Sequence, residues 1–210
     1  PVAAFAFDEV CEGNPTPFEA QASVSTGVIA AYRWQMGDGN DRSQADPAYT
    51  YATDGFYDVR LEVETDQGCI DDIQRQVEVY PTPEATFTAT TVCFGDTTAF
   101  TNASTDADRY QWRFGDATGE SNFENPVYTY LNPGDYTTRL IAENGDGCRD
   151  TTEEIVTVHQ LPVADFTVED VCIDFNVEPV DQSIGEVQQW AWRFGDGQTS
   201  TQRNPSVGYN

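Results

Sequence analysis

The sequence predicts an all-β protein made of small β-sandwiches in tandem, and three observations support this prediction. One segment recurs about every 80 residues, as Trp34, Trp112 and Trp192 show. Apolar and polar residues alternate along the neighbouring segments, for example in GFYDVRLEVET (55–65). No window keeps a helical period, and Gly, Pro and Asn interrupt the chain at short intervals, which is typical of strands joined by turns.

Each repeat opens with the pattern Pro-x-Ala-x-Phe and carries a cysteine six residues after the phenylalanine. The openings are PVAAF at residue 1, PEATF at 83 and PVADF at 162. The repeats predict three domains, at residues 1–80, 81–160 and 161–210, the last of which lacks its C-terminal strands. Short proline-containing linkers join them, which predicts an extended, semi-rigid rod.

An aromatic pair lies at the centre of each repeat. Residues two apart in a strand point to the same face, so each pair is predicted to pack in the core rather than to form a sugar-binding platform. The pairs are Tyr32 and Trp34, Tyr110 and Trp112, and Trp190 and Trp192.

The charge balance restricts the partners of the chain. It carries 36 Asp and Glu against 10 basic residues, a formal net charge of −26. Nucleic acid is excluded as a partner because its phosphates would be repelled. No apolar stretch approaches the roughly 18 residues that a membrane span needs, so no membrane insertion is expected.

Catalytic chemistry has little support in the composition. The chain has one histidine, His159, and no lysine, so nucleophile–base pairs are scarce. Its many carboxylates lie in no setting that marks a raised pKa. The chain is therefore predicted not to be an enzyme and to need no cofactor.

The five cysteines occupy two recurring positions. The first position holds Cys11, Cys93 and Cys172, and the second, later position holds Cys69 and Cys148. We expect bridges from Cys11 to Cys69 and from Cys93 to Cys148, with Cys172 unpaired in this sequence. Disulfides in small β domains are typical of an extracellular setting. The sequence has no C-x-x-C motif, which argues against a zinc site.

The third repeat stops before the Gly-x-Tyr strand, the second cysteine and the last strand that the repeat pattern requires. Two explanations stay open. Either the sequence is a segment of a longer array, or another chain supplies the missing strands by β-augmentation in a homo-oligomeric fibre.

Three motifs together resemble the polycystic kidney disease (PKD) domain. They are WRFGDG at 192–197, NPVYTY at 125–130 and GDYTTRL at 134–140, with Met36 and Ala117 as departures from the pattern in other repeats. The resemblance implies immunoglobulin-like β-sandwiches. The added cysteines are similar to those of PKD repeats in very long surface proteins of Bacteroidota, which include gliding-motility adhesins and proteins exported by type IX secretion.

The Gly-Asp step of each repeat is the candidate metal site. Asp38, Asp116 and Asp196 occupy matching positions in an acidic chain, so these aspartates are candidate calcium ligands. An Asp beside glycine also commonly caps its own turn through backbone N–H groups, and no EF-hand spacing surrounds these residues. The turn role is favoured, with calcium as the alternative.

These features predict a non-catalytic structural or adhesive segment of a long extracellular surface protein, serving as a stalk, adhesin or appendage fibre in cell-surface attachment. The expected partners are neighbouring repeats of the same protein, further copies in a fibre, and host, prey or surface glycans or proteins. The alternative is a set of spacer domains in a secreted hydrolase, with a role in glycan binding.

Overall fold

The computed structural model describes residues 1–172 and 175–209 of the chain. The described residues form strands and turns, with no helix among them. They fall into two compact units. The first comprises Pro1–Thr88, Thr101–Pro126 and Thr138–Glu154, and the second comprises Ala89–Phe100, Val127–Thr137 and the residues from Ile155 onwards. This division cuts through the second repeat, and the predicted domain ranges stay a prediction.

The first repeat, residues 1–80, is a β-sandwich of two sheets. The strands are β1 (Phe5–Phe7), β2 (Val10–Cys11), β3 (Pro15–Ala20), β4 (Ile29–Gln35), β5 (Asp41–Arg42), β6 (Ala48–Thr50), β7 (Gly55–Thr65) and β8 (Ile70–Tyr80). One sheet has the strand order β2-β8-β7-β4-β5 and the other has the order β1-β3-β6. The facing sides of the two sheets carry the apolar residues that form the core.

A long hairpin of β7 and β8 covers one side of this sandwich. The two strands pair antiparallel from Gly55 opposite Val79 to Glu64 opposite Ile70. Every second residue of β7 faces inward, which is the alternation that the sequence predicts. The fully buried residues of that strand are Val59, Leu61 and Val63.

The second repeat, residues 81–160, has the strands β9 (Phe87–Ala89), β10 (Val92–Cys93), β11 (Thr98–Asn102), β12 (Arg109–Arg113), β13 (Glu120–Ser121), β14 (Val127–Tyr128), β15 (Gly134–Glu143) and β16 (Arg149–His159). They form sheets with the same two orders as in the first repeat, β10-β16-β15-β12-β13 and β14-β11-β9. The recurrence confirms the prediction of tandem immunoglobulin-like sandwiches.

The described part of the third repeat, from residue 161, has four short strands in two separate pairs. They are β17 (Phe166–Thr167) with β18 (Val180–Asp181), and β19 (Trp192–Arg193) with β20 (Thr199–Ser200). No helix in the described part of the chain is long and apolar enough to cross a membrane.

The motif tryptophans of the first two repeats lie at the centre of the core, whereas Tyr32, Tyr110, Trp190 and Trp192, which were also predicted to be core residues, are half-buried. Trp34 and Trp112 are completely buried. The opening phenylalanine of each repeat packs edge-on against the tryptophan, with ring centres 5.1 Å apart for Phe5 and Trp34 and 5.0 Å apart for Phe87 and Trp112. Edge-to-face contact of this kind adds to the stabilisation that burial itself gives.

Candidate functional site

The joint between the first and second repeats is closed by a disulfide. Cys11 ends β2 in the first repeat, and Cys148 directly precedes β16 in the second. The two sulfur atoms are bonded, and the Cα atoms lie 5.7 Å apart although the residues are 137 positions apart in the chain. In the chain-entropy model, closing a loop of this length stabilises the folded state by about 5 kcal/mol.

The predicted bridges Cys11–Cys69 and Cys93–Cys148 are therefore wrong. β2 runs parallel to β8, with Cys11 opposite Tyr80, the last residue of that strand. Cys69 directly precedes the first residue of the same 11-residue strand. The two cysteines thus lie at opposite ends of β8, about 36 Å apart, whereas a disulfide requires Cα atoms within about 7 Å of each other.

The second repeat places its cysteines in the same way. Cys93 pairs in register with His159, the last residue of β16, and Cys148 precedes the first residue of that strand. In the described residues Cys69, Cys93 and Cys172 are exposed and unpaired. The signal that sequence reasoning missed is this parallel strand pairing, which separates the two cysteine positions within one repeat.

Polar contacts hold the linker at the same joint. Glu12 follows the bonded cysteine of the first repeat and accepts the backbone N–H of Thr82 at 3.3 Å. The side-chain amide of Asn144, in the turn before the bonded cysteine of the second repeat, donates to the Pro81 carbonyl at 2.8 Å. Residues from both repeats therefore bind the linker beside the disulfide.

Two further aspartates tie the opening segment of a repeat to its last strand. A carboxylate oxygen of Asp71 accepts the backbone N–H of Ala3 at 2.8 Å, and Asp150 accepts that of Ala85 at 2.8 Å. Both aspartates follow the second-position cysteine by two residues. Their matching positions in the repeats were the sequence signal for this structural role.

The Gly-Asp step forms a hydrogen-bonded turn in every repeat, since each carboxylate accepts a backbone N–H from its own loop. The described residues contain no cluster of three or more His, Cys, Asp or Glu arranged to hold a metal ion. Calcium binding stays a prediction, and calorimetry with calcium and with a chelator tests it. The pairs are Asp38 with Asn40 at 3.0 Å, Asp116 with Gly119 at 2.8 Å, and Asp196 with Gln198 at 3.0 Å.

Asp38 has an additional donor. Burial pushes the pKa of its carboxyl group upward, but hydrogen bonds from the Tyr49 hydroxyl and from Asn40 outweigh burial, so the pKa lies below its ordinary value of 3.8. Burial, and after it the same contact with Asp38, raises the pKa of Tyr49. The folded turn therefore stabilises the charged form of the Asp38 carboxyl group.

The tryptophans of the motif share one hydrogen bond. Each donates its indole N–H to a backbone carbonyl ten or eleven residues later, at Gln44, Phe123 and Gln202, over 2.9, 2.9 and 2.8 Å. Trp34 and Trp112 are fully buried, so neither can stack on a sugar. Trp190 and Trp192 are partly exposed and line an open apolar groove of about 580 Å³ in the third repeat.

The family model for the PKD domain matches residues 1–80 and again residues 78–158. The pre-pro-metalloprotease PrtV of Vibrio cholerae serotype O1 is 33% identical over 104 residues, which are 49% of this chain and 11% of that protein. The chain thus spans about a tenth of the length of this curated relative.

Two crystal structures of PKD domains are also similar. The PKD1 domain from Vibrio cholerae metalloprotease PrtV shares 34% identity, with coverage of 38% of this chain and 96% of that domain and a TM-score of 0.35. The PKD1 domain of Vibrio anguillarum Epp shares 23% identity over 39% of this chain and 96% of that domain, with a TM-score of 0.35. PKD domains are non-catalytic repeat modules. With two matches that together span most of its length, the chain belongs to the PKD domain family.

Proposed function

We propose that the chain is a non-catalytic, load-bearing repeat segment of a long extracellular surface protein, such as a stalk, adhesin or appendage fibre. The observation that carries this proposal is the disulfide between Cys11 and Cys148. It connects successive repeats, whereas a bridge that only stabilised one sandwich would lie within it. A structural disulfide also favours an oxidising, extracellular location.

Tension applied to the ends of the chain would pass through this bond. Force entering at Cys11 crosses directly to Cys148, so the loop between them carries no load as long as the disulfide is intact. Fully extended, a loop of that length would add about 490 Å to the chain. The joint therefore limits how far the segment can be stretched.

Single-molecule pulling tests the load-bearing role. We would use a chain in which Cys69, Cys93 and Cys172 are replaced by Ser, so that the bridge at Cys11 is the one disulfide able to form. We expect the maximum extension to increase by about 490 Å when a reductant is added. A matched variant with the additional change Cys148→Ser should reach the longer extension without reductant. Equal extensions of the two chains in the absence of reductant would refute the proposal.

Attachment at a cell surface is the second part of the proposal. In this arrangement the repeats hold a binding region away from the cell, and the partners are neighbouring repeats and, at the far end, a glycan or protein of another surface. Antibodies raised against the chain should label intact, unpermeabilised cells. Antigen found entirely in the culture medium would contradict surface attachment.

A spacer role beside a secreted hydrolase is the alternative function. It is favoured by the 33% identity with a stretch of the metalloprotease PrtV. Antigen that is released into the medium and copurifies with proteolytic or glycosidic activity would support this role. Affinity electrophoresis in gels containing polysaccharide tests the glycan-binding variant, for which the buried Trp34 and Trp112 offer no exposed ring.

A further inference from the structure

Cys69 and Cys93 form no disulfide in the structure, although they occupy the repeat positions equivalent to those of Cys148 and Cys11, which are bonded to each other. We propose that each of them forms a disulfide with a neighbouring repeat of the same kind, so that the bridge at the joint is one of a staggered series. In this series the first-position cysteine of a repeat bonds to the second-position cysteine of the following repeat. The inference holds for a stalk and for a spacer alike.

The turn that carries Cys69 has the geometry of the turn that carries the bonded Cys148. In the first repeat the N–H of Cys69 donates to the Thr65 hydroxyl at 3.1 Å, and the N–H of Thr65 donates to the carbonyl of Cys69 at 2.9 Å. In the second repeat the corresponding bonds join Cys148 and Asn144 at 2.9 and 3.0 Å. The backbone thus presents both cysteines in the same way.

The strand that carries Cys93 likewise matches the strand that carries the bonded Cys11. Cys11 lies opposite Tyr80 and Cys93 lies opposite His159, in both cases at the end of a parallel strand pair. The residue after each cysteine donates its N–H to the carbonyl of that opposite residue, at 2.8 Å in both repeats. Each thiol therefore stands at a position whose equivalent already forms a bridge.

The stagger identifies the partner of each thiol. Cys93 requires a second-position cysteine in the repeat that follows its own, and residues 161–210 hold Cys172 alone, which is in the first position. Cys69 requires a first-position cysteine in a repeat that precedes it. The partner in each case is a neighbouring PKD repeat of this kind, joined through a short linker as the first two repeats are.

Each bridge forms by thiol–disulfide exchange with a low-molecular-weight disulfide such as oxidised glutathione. The two cysteine thiols lose two protons and two electrons as the S–S bond forms, and the oxidant is reduced to two thiols. Successive loops would overlap, because Cys93 lies inside the loop closed by Cys11 and Cys148. Cleavage of a linker would then leave the repeats covalently joined.

Duplication of the second repeat within the full chain tests this proposal. A second copy of residues 81–159 is inserted after His159, so that the new linker has the length of the native one after Tyr80, and the inserted copy carries Cys93→Ser and Ile141→Val. The valine reduces the mass of the tryptic peptide that contains Cys148 and so distinguishes the two copies. Trypsin cleaves this lysine-free chain at arginine alone, which places every cysteine of the original chain in a separate peptide.

After oxidation with glutathione disulfide and alkylation, we expect the Cys93 peptide to be linked to the valine-marked Cys148 peptide. The unmarked Cys148 peptide should remain linked to that of Cys11, which shows that the joint has folded. In the chain without the insertion, Cys93 should be recovered alkylated. Alkylated Cys93 in the duplicated chain, or a link from Cys93 to the unmarked peptide or to Cys172, would overturn the proposal.

Discussion

The first and third repeats carry the same aromatic motif but bury it to different degrees. Trp34 is fully buried, and its strand β4 pairs with β7, where it lies opposite Leu61. Trp192 is partly exposed, and in the described part of the chain its strand β19 pairs with β20 alone. Both indoles nevertheless make the same hydrogen bond to a backbone carbonyl. The motif therefore has the same local geometry in both repeats, and its tryptophan is fully buried in the repeat where the strand also pairs with β7 of the long hairpin.

Truncation of the two tryptophans should separate these contributions most strongly. Trp34→Ala removes a completely buried ring and should destabilise the first repeat by about 3–5 kcal/mol. Trp192→Ala removes a partly exposed ring and should cost less than half of that. Hydrogen exchange measured by mass spectrometry, peptide by peptide, reports the stability of each repeat separately. Equal losses of protection in the two repeats would contradict the role assigned to the hairpin.

The glycine of the motif provides a second contrast. Gly37 has φ of +85°, and a Cβ there would lie 2.8 Å from the backbone nitrogen of Asp58 in β7, whereas a Cβ at Gly195 would meet no atom within 4 Å. Gly37→Ala should destabilise the first repeat by about 1–3 kcal/mol, and Gly195→Ala should change the third by less than about 0.5 kcal/mol. Urea-dependent hydrogen exchange of the two segments checks both values, and a destabilising Gly195→Ala would be the contrary result.

The sequence was sufficient to predict the features that can be read from patterns along the chain. The alternation in β7 and the recurrence of Trp34 and Trp112 predicted a tandem sandwich fold, because side-chain period and repeat length are written directly in the residues. The disulfide pairing was mispredicted since pairing within a repeat and pairing between repeats use the same recurring positions. The deciding fact, that Cys11 lies beside the end of β8, is a long-range strand pairing that cysteine spacing does not encode.

The residue before the motif proline should behave alike in both repeats. Asp46 accepts the backbone N–H of Ala20 at 2.9 Å, and Asn204 accepts that of Asp181 at 2.9 Å. Because both bonds form within the part of the fold that the two repeats share, Asp46→Ala and Asn204→Ala should each cost about 1 kcal/mol. The conservative change Asp46→Asn keeps the acceptor and serves as a control. If Asp46→Ala lowered stability and Asn204→Ala did not, the stabilisation by this hydrogen bond would also depend on the hairpin of β7 and β8.

The smallest effect concerns the aspartate of the Gly-Asp turn, which the two repeats hold in different surroundings. Burial opposes ionisation of Asp38, but the Tyr49 and Asn40 donors lower its pKa below 3.8. The pKa of Asp196 is lowered by the backbone N–H of Gln198 first and by its side chain second. Both groups bind a proton more weakly in the folded state than in the unfolded chain.

Their contribution to stability is therefore complete above the ordinary aspartate pKa and is lost as the pH falls through the lower folded value. Carboxyl NMR titration should place the midpoints of both Asp38 and Asp196 below 3.8. Tyr49→Phe removes a donor from Asp38 and should raise that midpoint while leaving Asp196 unchanged. A midpoint of Asp38 that does not move would show that the hydrogen bonds of its own turn keep this carboxylate ionised without Tyr49, as those from Gln198 do for Asp196.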